Sequence, residues 1–328
     1  MPQLRQNIIT GDWVVIAPER AKRPTDYITA DTVKVQSKTD CNFCVGRSAF
    51  ETRIKKYDTE HIYIMPNKFP VFVENGDAKN TPRSYKVEEE FYRARFSTGG
   101  HDVVVIKNHN IDLPHFTRPI WVDLLEAFKK RYQYFDKEKD VVYTMPIYNH
   151  GREAGASIEH PHAQIFASNI IPNNISTEIH HTEKYFEHNG TCAFCDLIKH
   201  EKEFKKRIVF ENKDFIAFTF YAARFPFEVW ILPKMHNSRY ENESNNKLAN
   251  LSDCLIDVFK RLNNALNDPP LNFFIHNLPN TITETDYFHW HLEIAPRITG
   301  YGGYEMGSGN IIDVFSPELA AKFLRGKK

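Results

Sequence analysis

The sequence lacks an excess of charge of either sign, because 42 lysines and arginines balance 42 aspartates and glutamates. This balance provides no bulk electrostatic attraction to nucleic acid or to an anionic membrane surface. The sequence also lacks an uncharged apolar run of the roughly 18 residues that a membrane-spanning helix needs, and residues 1–7 lack the apolar core of a signal peptide. We therefore expect a cytoplasmic protein that binds neither nucleic acid nor a membrane.

Cysteine is scarce, with five residues in a chain of 328, which argues against the disulfide scaffold of a small secreted domain. Four of the five form two C-x-x-C pairs, Cys41 with Cys44 and Cys192 with Cys195. In a cytoplasmic protein such a pair is either redox-active or one half of a tetrahedral zinc site. The fifth, Cys254, falls between apolar positions of a helical pattern and is predicted to lie in the core.

The chemically distinctive residues occur twice in the same order. In each half a C-x-x-C pair is followed by a histidine that ends a strand-like run, and then by an H-x-H pair. The ordered sets are Cys41, Cys44, His109, His160 and His162 in the first half, and Cys192, Cys195, His236, His289 and His291 in the second. The chain is therefore predicted to be a duplicated strand-rich unit. The polar stretch 180–191 is the predicted seam, which gives domains 1–179 and 180–328.

Each copy is also predicted to contain one crossover helix. Between the single histidine and the H-x-H pair, apolar residues recur at intervals of three and four, over residues 121–132 and again over 251–262. This spacing is typical of an amphipathic helix.

The repetition favours two zinc sites over a redox pair, since each half supplies two thiolates and two imidazoles. The predicted sites are Cys41, Cys44, His109 and His160 in the first half, and Cys192, Cys195, His236 and His289 in the second. A rival second site stays open, in which a divalent ion such as iron is held by Glu178, His276, His289 and His291. Because both second-half sites need His289, we do not expect both to be filled.

His162 is the predicted nucleophile. Histidines two residues apart in an extended segment point to the same face, so a metal-bound His160 would leave His162 free beside it. A neutral imidazole whose far nitrogen is held by a backbone carbonyl presents its other nitrogen to a phosphorus atom. Donors are also needed where charge builds up on the phosphate oxygens. The candidates are the neutral Ser157 and Gln164 and the cationic Arg20 and Arg23.

With these motifs the chain resembles the histidine-triad superfamily, in its galactose-1-phosphate uridylyltransferase branch, over nearly its whole length. The segments that carry the resemblance are 10–24 (an N-terminal strand and arginine loop), 41–44 (a zinc knuckle), 67–70 (a nucleotide-contacting segment), 149–164 (the active-site signature) and 303–306 (a sugar-phosphate segment).

The resemblance implies an α+β fold, with a half-barrel of antiparallel strands in each repeat, helices outside, and a homodimer whose sites lie near the subunit interface. It implies a ping-pong reaction in which His162 attacks the α-phosphorus of UDP-glucose and expels glucose 1-phosphate. Galactose 1-phosphate then takes the uridylyl group from the histidine. The implied site consists of His162, Gln164, Ser157 and His160, with nucleotide or sugar contacts from Arg20, Arg23, Asn67, Asn149, Gly155, Tyr304 and Glu305.

Two departures from the family pattern and two alternative functions accompany the resemblance. Glu293 in the second repeat stands where Gln164 stands in the first, and a carboxylate repels a phosphate, so only the first repeat is expected to be catalytic. Residues 307–311 are glycine-rich, whereas well-studied members of the family have a hexose-binding glutamine there.

A plant-type relative with the glycine-rich version is an ADP-glucose phosphorylase, so splitting of ADP-glucose by inorganic phosphate is the alternative activity. A zinc-held nucleotide-binding module without turnover is the remaining alternative. His101, by contrast, is predicted to make a structural hydrogen bond.

Overall fold

The computed structural model describes residues 1–20, 41–74, 92 and 94–326. In this part of the chain the strands are β1 (Gln3–Gln6), β2 (Trp13–Ile16), β3 (Ile62–Pro66), β4 (Gly99–Ile106), β5 (Tyr143–His150), β6 (His162–Ser168), β7 (Ile208–Glu211), β8 (Phe215–Thr219), β9 (Val229–Pro233), β10 (Leu271–His276), β11 (His291–Pro296) and β12 (Ile311–Asp313). The α-helices are α1 (Ser48–Glu51), α2 (Arg118–Phe135), α3 (Asn173–Asn189), α4 (Ala193–Phe204), α5 (Asn245–Leu266), α6 (Gly303–Ser308) and α7 (Pro317–Leu324).

The larger of two sheets joins both halves of the chain. Its nine strands follow the order β3-β4-β6-β5-β10-β11-β9-β8-β7, and its neighbouring strands are antiparallel. The first half contributes β3-β4-β6-β5, the second contributes the matching β8-β9-β11-β10, and β7 is an additional edge strand. The halves meet where β5 pairs with β10, with Asn149 opposite Asn272. The predicted α+β class is confirmed, and the two halves form one continuous sheet.

The two crossover helices lie where the apolar spacing predicts them, as α2 and α5. They pack against each other, and Trp121 of α2 stacks on Phe259 of α5 with ring centroids 5.4 Å apart. Both belong to one core with alternate strand residues such as Ala163 and Ile165 of β6. Cys254 in α5 is fully buried in this core, as predicted. Among the described residues, no helix combines the length and apolar character that crossing a bilayer requires.

The opposite side of the sheet carries a mixture of polar and apolar side chains. Because successive residues of a strand point to opposite sides, His162 and Gln164 face away from the core that holds Ala163 and Ile165. On this side His162 and His276 are buried, whereas seven further residues of three adjacent strands are only half-buried. These seven are Gln164 and Phe166 of β6, Met145, Ile147 and Asn149 of β5, and Asn272 and Phe274 of β10.

A smaller sheet brings the two ends of the chain together. β1 pairs antiparallel with β2, and β12 lies parallel to β2 with Ile312 opposite Val15. Ile9, Val14 and Ile16 pack in a cluster with residues of the second half. Most of the predicted seam at 180–191 is not a linker but the second part of helix α3. The division into domains 1–179 and 180–328 stays a prediction.

Two glycines at the start of β4 permit close contact with its neighbours. A Cβ atom on Gly99 would lie 2.0 Å from the carbonyl oxygen of Ala167, and one on Gly100 would lie 2.3 Å from the ring of Phe135. Gly99 also has φ +141°, which L side chains rarely adopt. β4 can therefore pair with β6 in the register that puts His101 opposite Phe166.

A buried ion pair follows directly in β4. The side chains of Asp102 and Arg131 are 5% and 3% exposed, and Arg131 Nε lies 2.6 Å from Asp102 Oδ2. Burial raises the pKa of Asp102 to about 6, although Arg131 opposes the shift. An unpaired buried charge is costly, so Arg131→Met should lower the free energy of unfolding by about 3–5 kcal/mol at pH 7.5, as urea unfolding can measure.

Protonation of Asp102 should reduce the unfolding free energy lost in Arg131→Met. A carboxyl group whose pKa is raised in the folded state stabilises that state when it takes up a proton. The deficit of Arg131→Met should therefore shrink as the pH falls from 7.5 toward 5. Lys130→Met is the matched control on the same helix, since Lys130 makes only an exposed pair with Glu126 and its loss should cost about 0.5 kcal/mol or less. A deficit that does not change with pH would contradict the role given to Asp102.

Candidate active site and metal centres

The first predicted metal set is assembled in the structure. Cys41 Sγ lies 3.4 Å from His160 Nδ1, Cys44 Sγ lies 3.4 Å from His109 Nδ1, and the two Nδ1 atoms are 3.0 Å apart. Ligands of a tetrahedral zinc ion with bonds of about 2.0–2.3 Å are roughly 3.3–3.8 Å from each other. The four donor atoms therefore have nearly the spacing that one zinc ion requires.

The protonation state of His160 also suits a metal. Its Nε2 donates to the carbonyl oxygen of Ile106 at 2.6 Å, which leaves the lone pair of Nδ1 directed at the sulfur atoms. Burial lowers the pKa of His160 to about 4, so the imidazole is neutral, as a metal ligand must be.

His162 is held by a backbone hydrogen bond of the kind expected for the nucleophile. Its Nδ1 donates to the carbonyl oxygen of His160 at 2.7 Å, and burial lowers its pKa. The ring of Phe43 packs edge-on against it, with ring centroids 5.2 Å apart. The Nε2 lone pair of a neutral imidazole is thereby left for reaction. One expectation changes: β6 begins at His162, so His160 precedes the strand, where Pro161 has no N–H to donate to a ladder.

Gln164 and Asn67 meet at a residue that sequence reasoning had not assigned to the site. His101 Nε2 lies 2.9 Å from Gln164 Oε1 and 3.2 Å from Asn67 Nδ2. The backbone N–H of Asn67 also donates to the carbonyl oxygen of His101 at 2.7 Å. The nucleotide-contacting segment predicted at 67–70 therefore lies beside Gln164.

Two further predicted residues, Gly155 and Ser157, lie in the loop before His160, and a third, Asn149, lies in β5, which leads into that loop. Ser157 is exposed. Gly155 has φ +87° and closes a 3₁₀ turn in the left-handed conformation, which favours glycine. Asn149 Oδ1 accepts from Asn272 Nδ2 at 2.8 Å, so its amide is fixed across the junction of the two halves. Asn149 and Gly155 adjoin, since a Cβ on Gly155 would lie 3.8 Å from Asn149 Nδ2.

The remaining predicted contacts are Arg20, Arg23, Tyr304 and Glu305. Arg20 is exposed at the end of a 3₁₀ helix, and Arg23 lies outside the described residues. Tyr304 and Glu305 are on α6, where Glu305 Oε2 accepts from the N–H of Gly302 at 2.9 Å. In the described part of the chain, no hydrogen bond connects Tyr304 or Glu305 with the residues around His162.

The second Cys/His set repeats the first. Cys195 Sγ lies 3.4 Å from His236 Nδ1 and 3.9 Å from His289 Nδ1, and Cys192 completes a group whose donor atoms are all within 4.8 Å of one another. His289 Nε2 donates to the carbonyl oxygen of Pro233 at 2.9 Å, as His160 does to Ile106. A hydrogen bond from the neighbouring Cys192 lowers the pKa of Cys195, which favours the thiolate form of Cys195.

The rival second-half site has a different composition from the one predicted. Four buried residues, Glu178, His276, His291 and Glu293, bring one donor atom each within 4.8 Å of one another. His289 belongs to the cysteine group because its Nδ1 faces Cys195, whereas Glu293 lies two residues after His291 on the same side of β11. The expectation that both second-half sites need His289 is wrong, because the two groups share no residue.

Three buried atoms of this group, Glu178 Oε2, His291 Nε2 and Glu293 Oε1, form no hydrogen bond in the described part of the chain, although His291 Nε2 lies within 4 Å of both carboxylate oxygens. An unpartnered buried polar atom is costly, and a cation among the three would satisfy them. A cation is already adjacent, because the guanidinium of Arg224 bonds to Glu293. Burial would raise the pKa of Glu293, but the charges of Arg224, His276 and His291 outweigh burial and lower it. The group therefore suits a divalent ion, although Arg224 supplies part of the charge.

Phe43, His101 and Glu293 were missed as parts of the sites. The sequence contained a signal for Phe43, because both cysteine pairs read C-x-F-C. In the structure the ring of Phe194 lies 5.0 Å from that of His291, as Phe43 lies beside His162. Glu293 follows from strand alternation after His291. His101 had no local signal, since its contact with Gln164 depends on the register between β4 and β6.

Comparison with known families gives two matches along the chain. The model of the galactose-1-phosphate uridyl transferase N-terminal domain matches residues 1–172, and the model of the corresponding C-terminal domain matches residues 178–299.

Individual relatives match over nearly the whole length. An ADP-glucose phosphorylase of Arabidopsis thaliana is 34% identical over 99% of this chain and 92% of its own length. A galactose-1-phosphate uridylyltransferase of Thermotoga maritima is 29% identical over 99% of this chain and 98% of its own. The crystal structure of an Arabidopsis thaliana ADP-glucose phosphorylase with bound ADP-glucose superimposes with a TM-score of 0.83 and 30% identity, and 100% of each chain is covered.

Proposed function

Because the chain belongs to the galactose-1-phosphate uridyl transferase family, we propose that it transfers a nucleotidyl group from a nucleotide sugar to a phosphate acceptor through a covalent bond to His162. The observation that carries this proposal is the hydrogen bond from His162 Nδ1 to the carbonyl oxygen of His160 at 2.7 Å. It fixes the tautomer that leaves Nε2 as the nucleophilic nitrogen.

In the first half-reaction the Nε2 lone pair of His162 forms a bond to the α-phosphorus, and the bond from that phosphorus to the bridging oxygen breaks. The sugar 1-phosphate leaves with the electron pair. The carbonyl oxygen of His160 stabilises the positive charge that develops on the imidazole. In the second half-reaction a phosphate oxygen of the acceptor attacks the same phosphorus and His162 leaves. Gln164 and the hydroxyl of Ser157 are the proposed donors to the non-bridging oxygens.

Zinc is the proposed metal in both Cys/His sites, and it would supply structural support there. The first site would hold His160 and, through the His160 carbonyl, the orientation of His162. For the group of Glu178, His276, His291 and Glu293 we propose a divalent ion, with iron as the candidate. Metal analysis of the purified protein tests this assignment, since two zinc ions per chain plus one further ion support it and one metal ion or none contradicts it.

The leading proposal for specificity is exchange of hexose 1-phosphates on UDP-sugars, with UDP-glucose and galactose 1-phosphate as the substrate pair. A second candidate is phosphorolysis of ADP-glucose. It is favoured by the ADP-glucose phosphorylase that is 34% identical to this chain. It is also favoured by residues 307–311, which contain no glutamine. Helix α6 ends within this segment, where Gly309 has φ +75°.

Isotope exchange tests both the first half-reaction and the choice between uracil and adenine as the nucleotide base. Labelled glucose 1-phosphate is incubated with the protein and either unlabelled UDP-glucose or ADP-glucose, without a second acceptor. Label that enters UDP-glucose, with turnover on galactose 1-phosphate, supports the leading proposal. Label that enters ADP-glucose, with turnover on inorganic phosphate, supports the second. No exchange with either donor would contradict both and favour a nucleotide-binding module.

A cytoplasmic homodimer completes the proposal. It is supported by exposed apolar side chains on β2 and α6, which both adjoin β12. Trp13 of β2, and Tyr304 and Met306 of α6, are 49%, 53% and 76% exposed. Sedimentation at micromolar concentration tests the oligomeric state, and a monomer would contradict it.

A further inference from the structure

We propose that His101 is a positioning residue that turns the amide nitrogen of Gln164, rather than its carbonyl oxygen, toward the phosphate attacked by His162. This inference rests on the proposed function for its catalytic consequence. Its structural part, the orientation of one amide by one imidazole, depends only on the contacts around His101.

The side chain of His101 is packed into a fixed position. The residue is 7% exposed, and its ring stacks on Phe166 with centroids 4.1 Å apart and an interplanar angle of 28°. His101 lies opposite Phe166, and Val103 lies opposite Gln164, in the pairing of β4 with β6. His101 is thus the diagonal neighbour of Gln164 on the same side of the sheet, a distance that a long side chain can span.

A backbone donor determines the tautomer of His101. The N–H of Val71 points at His101 Nδ1, with 3.4 Å between the nitrogen atoms. A backbone N–H can only donate, so Nδ1 must carry a lone pair. Burial lowers the pKa of His101, so the ring is neutral and its proton is on Nε2. That N–H then donates to Gln164 Oε1 at 2.9 Å.

The same tautomer has a consequence for Asn67. Its Nδ2 lies 3.2 Å from His101 Nε2, but two donors cannot form a hydrogen bond with each other. Asn67 Oδ1 is already used, since it accepts from the N–H of Phe69 at 2.9 Å. The N–H₂ group of Asn67 can therefore donate to a ligand. Asn67 lies in the segment 67–70, which is predicted to contact the nucleotide.

The orientation of Gln164 matters because a carboxamide has a donor end and an acceptor end of nearly equal size. If the carbonyl faced the phosphate, its lone pairs would repel the oxygens on which negative charge develops. With Oε1 occupied by His101, the N–H₂ group faces the other way. A donor preorganised at such a position contributes about 10²–10³-fold to the rate in other enzymes.

The second repeat supports treating the two positions as a pair. Trp230 lies opposite Glu293 as Val103 lies opposite Gln164, so Glu228 is the counterpart of His101. Both members of the pair are therefore carboxylates in the second repeat, and Arg224 bonds to each of them. The second repeat thus has a carboxylate at the positions of both Gln164 and His101. The neutral pair occurs only in the repeat that contains the proposed nucleophile.

A double-mutant cycle tests the catalytic consequence. His101→Leu should lower kcat of the nucleotidyl transfer about 10–100-fold with KM within a few-fold, and the double variant His101→Leu/Gln164→Ala should be no slower than Gln164→Ala alone. His101→Gln should recover most of the rate, because its amide nitrogen can replace the Nε2 donor. His115→Leu is the matched control, since His115 is exposed and contacts Asp112 away from the site. Additive losses, or a His101→Gln variant as slow as His101→Leu, would overturn the proposal.

Nitrogen NMR of the histidine rings tests the structural part without turnover. In protein with ¹⁵N-labelled histidine, His101, assigned by its absence from His101→Gln, should show a protonated Nε2 and an unprotonated Nδ1. A proton on Nδ1 would overturn the positioning role even if the enzyme is active. Failure of the proposed function, by contrast, would appear as no isotope exchange in the unmodified protein while the predicted tautomer is still observed.

Discussion

His162→Gly should abolish the covalent nucleotidyl adduct and lower kcat by at least about 10⁴-fold, in line with removal of the nucleophile in other covalent enzymes. The reason is that, among the described histidines, His162 alone combines an Nδ1 that donates to a backbone carbonyl with a position two residues before Gln164 on the same side of β6. The first metal site should stay filled, because its donors are Cys41, Cys44, His109 and His160. Intact mass and metal analysis of the same preparation measure both quantities.

Peptide mapping of the labelled unmodified protein adds a control within the same molecule. The adduct should be on the peptide that contains His162 and not on the one that contains His291, whose Nε2 lies 3.3 Å from Glu293 Oε1. A carboxylate there opposes the approach of a phosphate. An adduct that persists in His162→Gly, or that maps to His291, would refute the assignment of the nucleophile.

Cys41→Ser should remove the zinc ion of the first site and cost on the order of 5 kcal/mol in unfolding free energy, because binding of a structural metal is coupled to folding. Cys41 is 2% exposed and packs in a cluster with Phe43 and Val105, so loss of the metal would leave thiol and imidazole donors unsatisfied in a buried site. Adduct formation should fall as well, since His160 would no longer hold His162 in place. Metal content, urea unfolding and intact mass measure the three effects.

Two matched cysteine variants separate the metal effect from packing. Cys254→Ser makes the same substitution in the core of α5, away from the metal groups, and should cost stability without loss of zinc. Cys192→Ser should remove the second zinc ion while adduct formation continues, because the second repeat lacks the counterpart of Gln164. A Cys41→Ser protein that keeps its full metal content and its stability would mean that the first site is misassigned.

The repeated motifs predicted the family, the α+β class and both crossover helices, and these predictions are confirmed. They succeeded because helix periodicity and metal-ligand spacing are local properties of the sequence. The order C-x-x-C, histidine, H-x-H also identified the two cysteine groups that the structure brings together, although their metal content stays a prediction.

The features that were not predicted depend on long-range pairing. The contact between His101 and Gln164 joins residues 63 positions apart and exists only in one register of β4 against β6. The pairing of β2 with β12 joins opposite ends of the chain in parallel. Which of the two metal groups contains His289 depends on the direction of its side chain, just before β11 begins. The H-x-H spacing alone does not specify that direction.

The most direct measurement is the intact mass of the protein after incubation with UDP-glucose or ADP-glucose in the absence of an acceptor. We expect the mass to increase by one nucleotidyl group. The adduct should disappear with galactose 1-phosphate if it is uridylyl, or with inorganic phosphate if it is adenylyl. An unchanged mass with both donors, in protein whose first metal site is filled, would contradict covalent catalysis by His162.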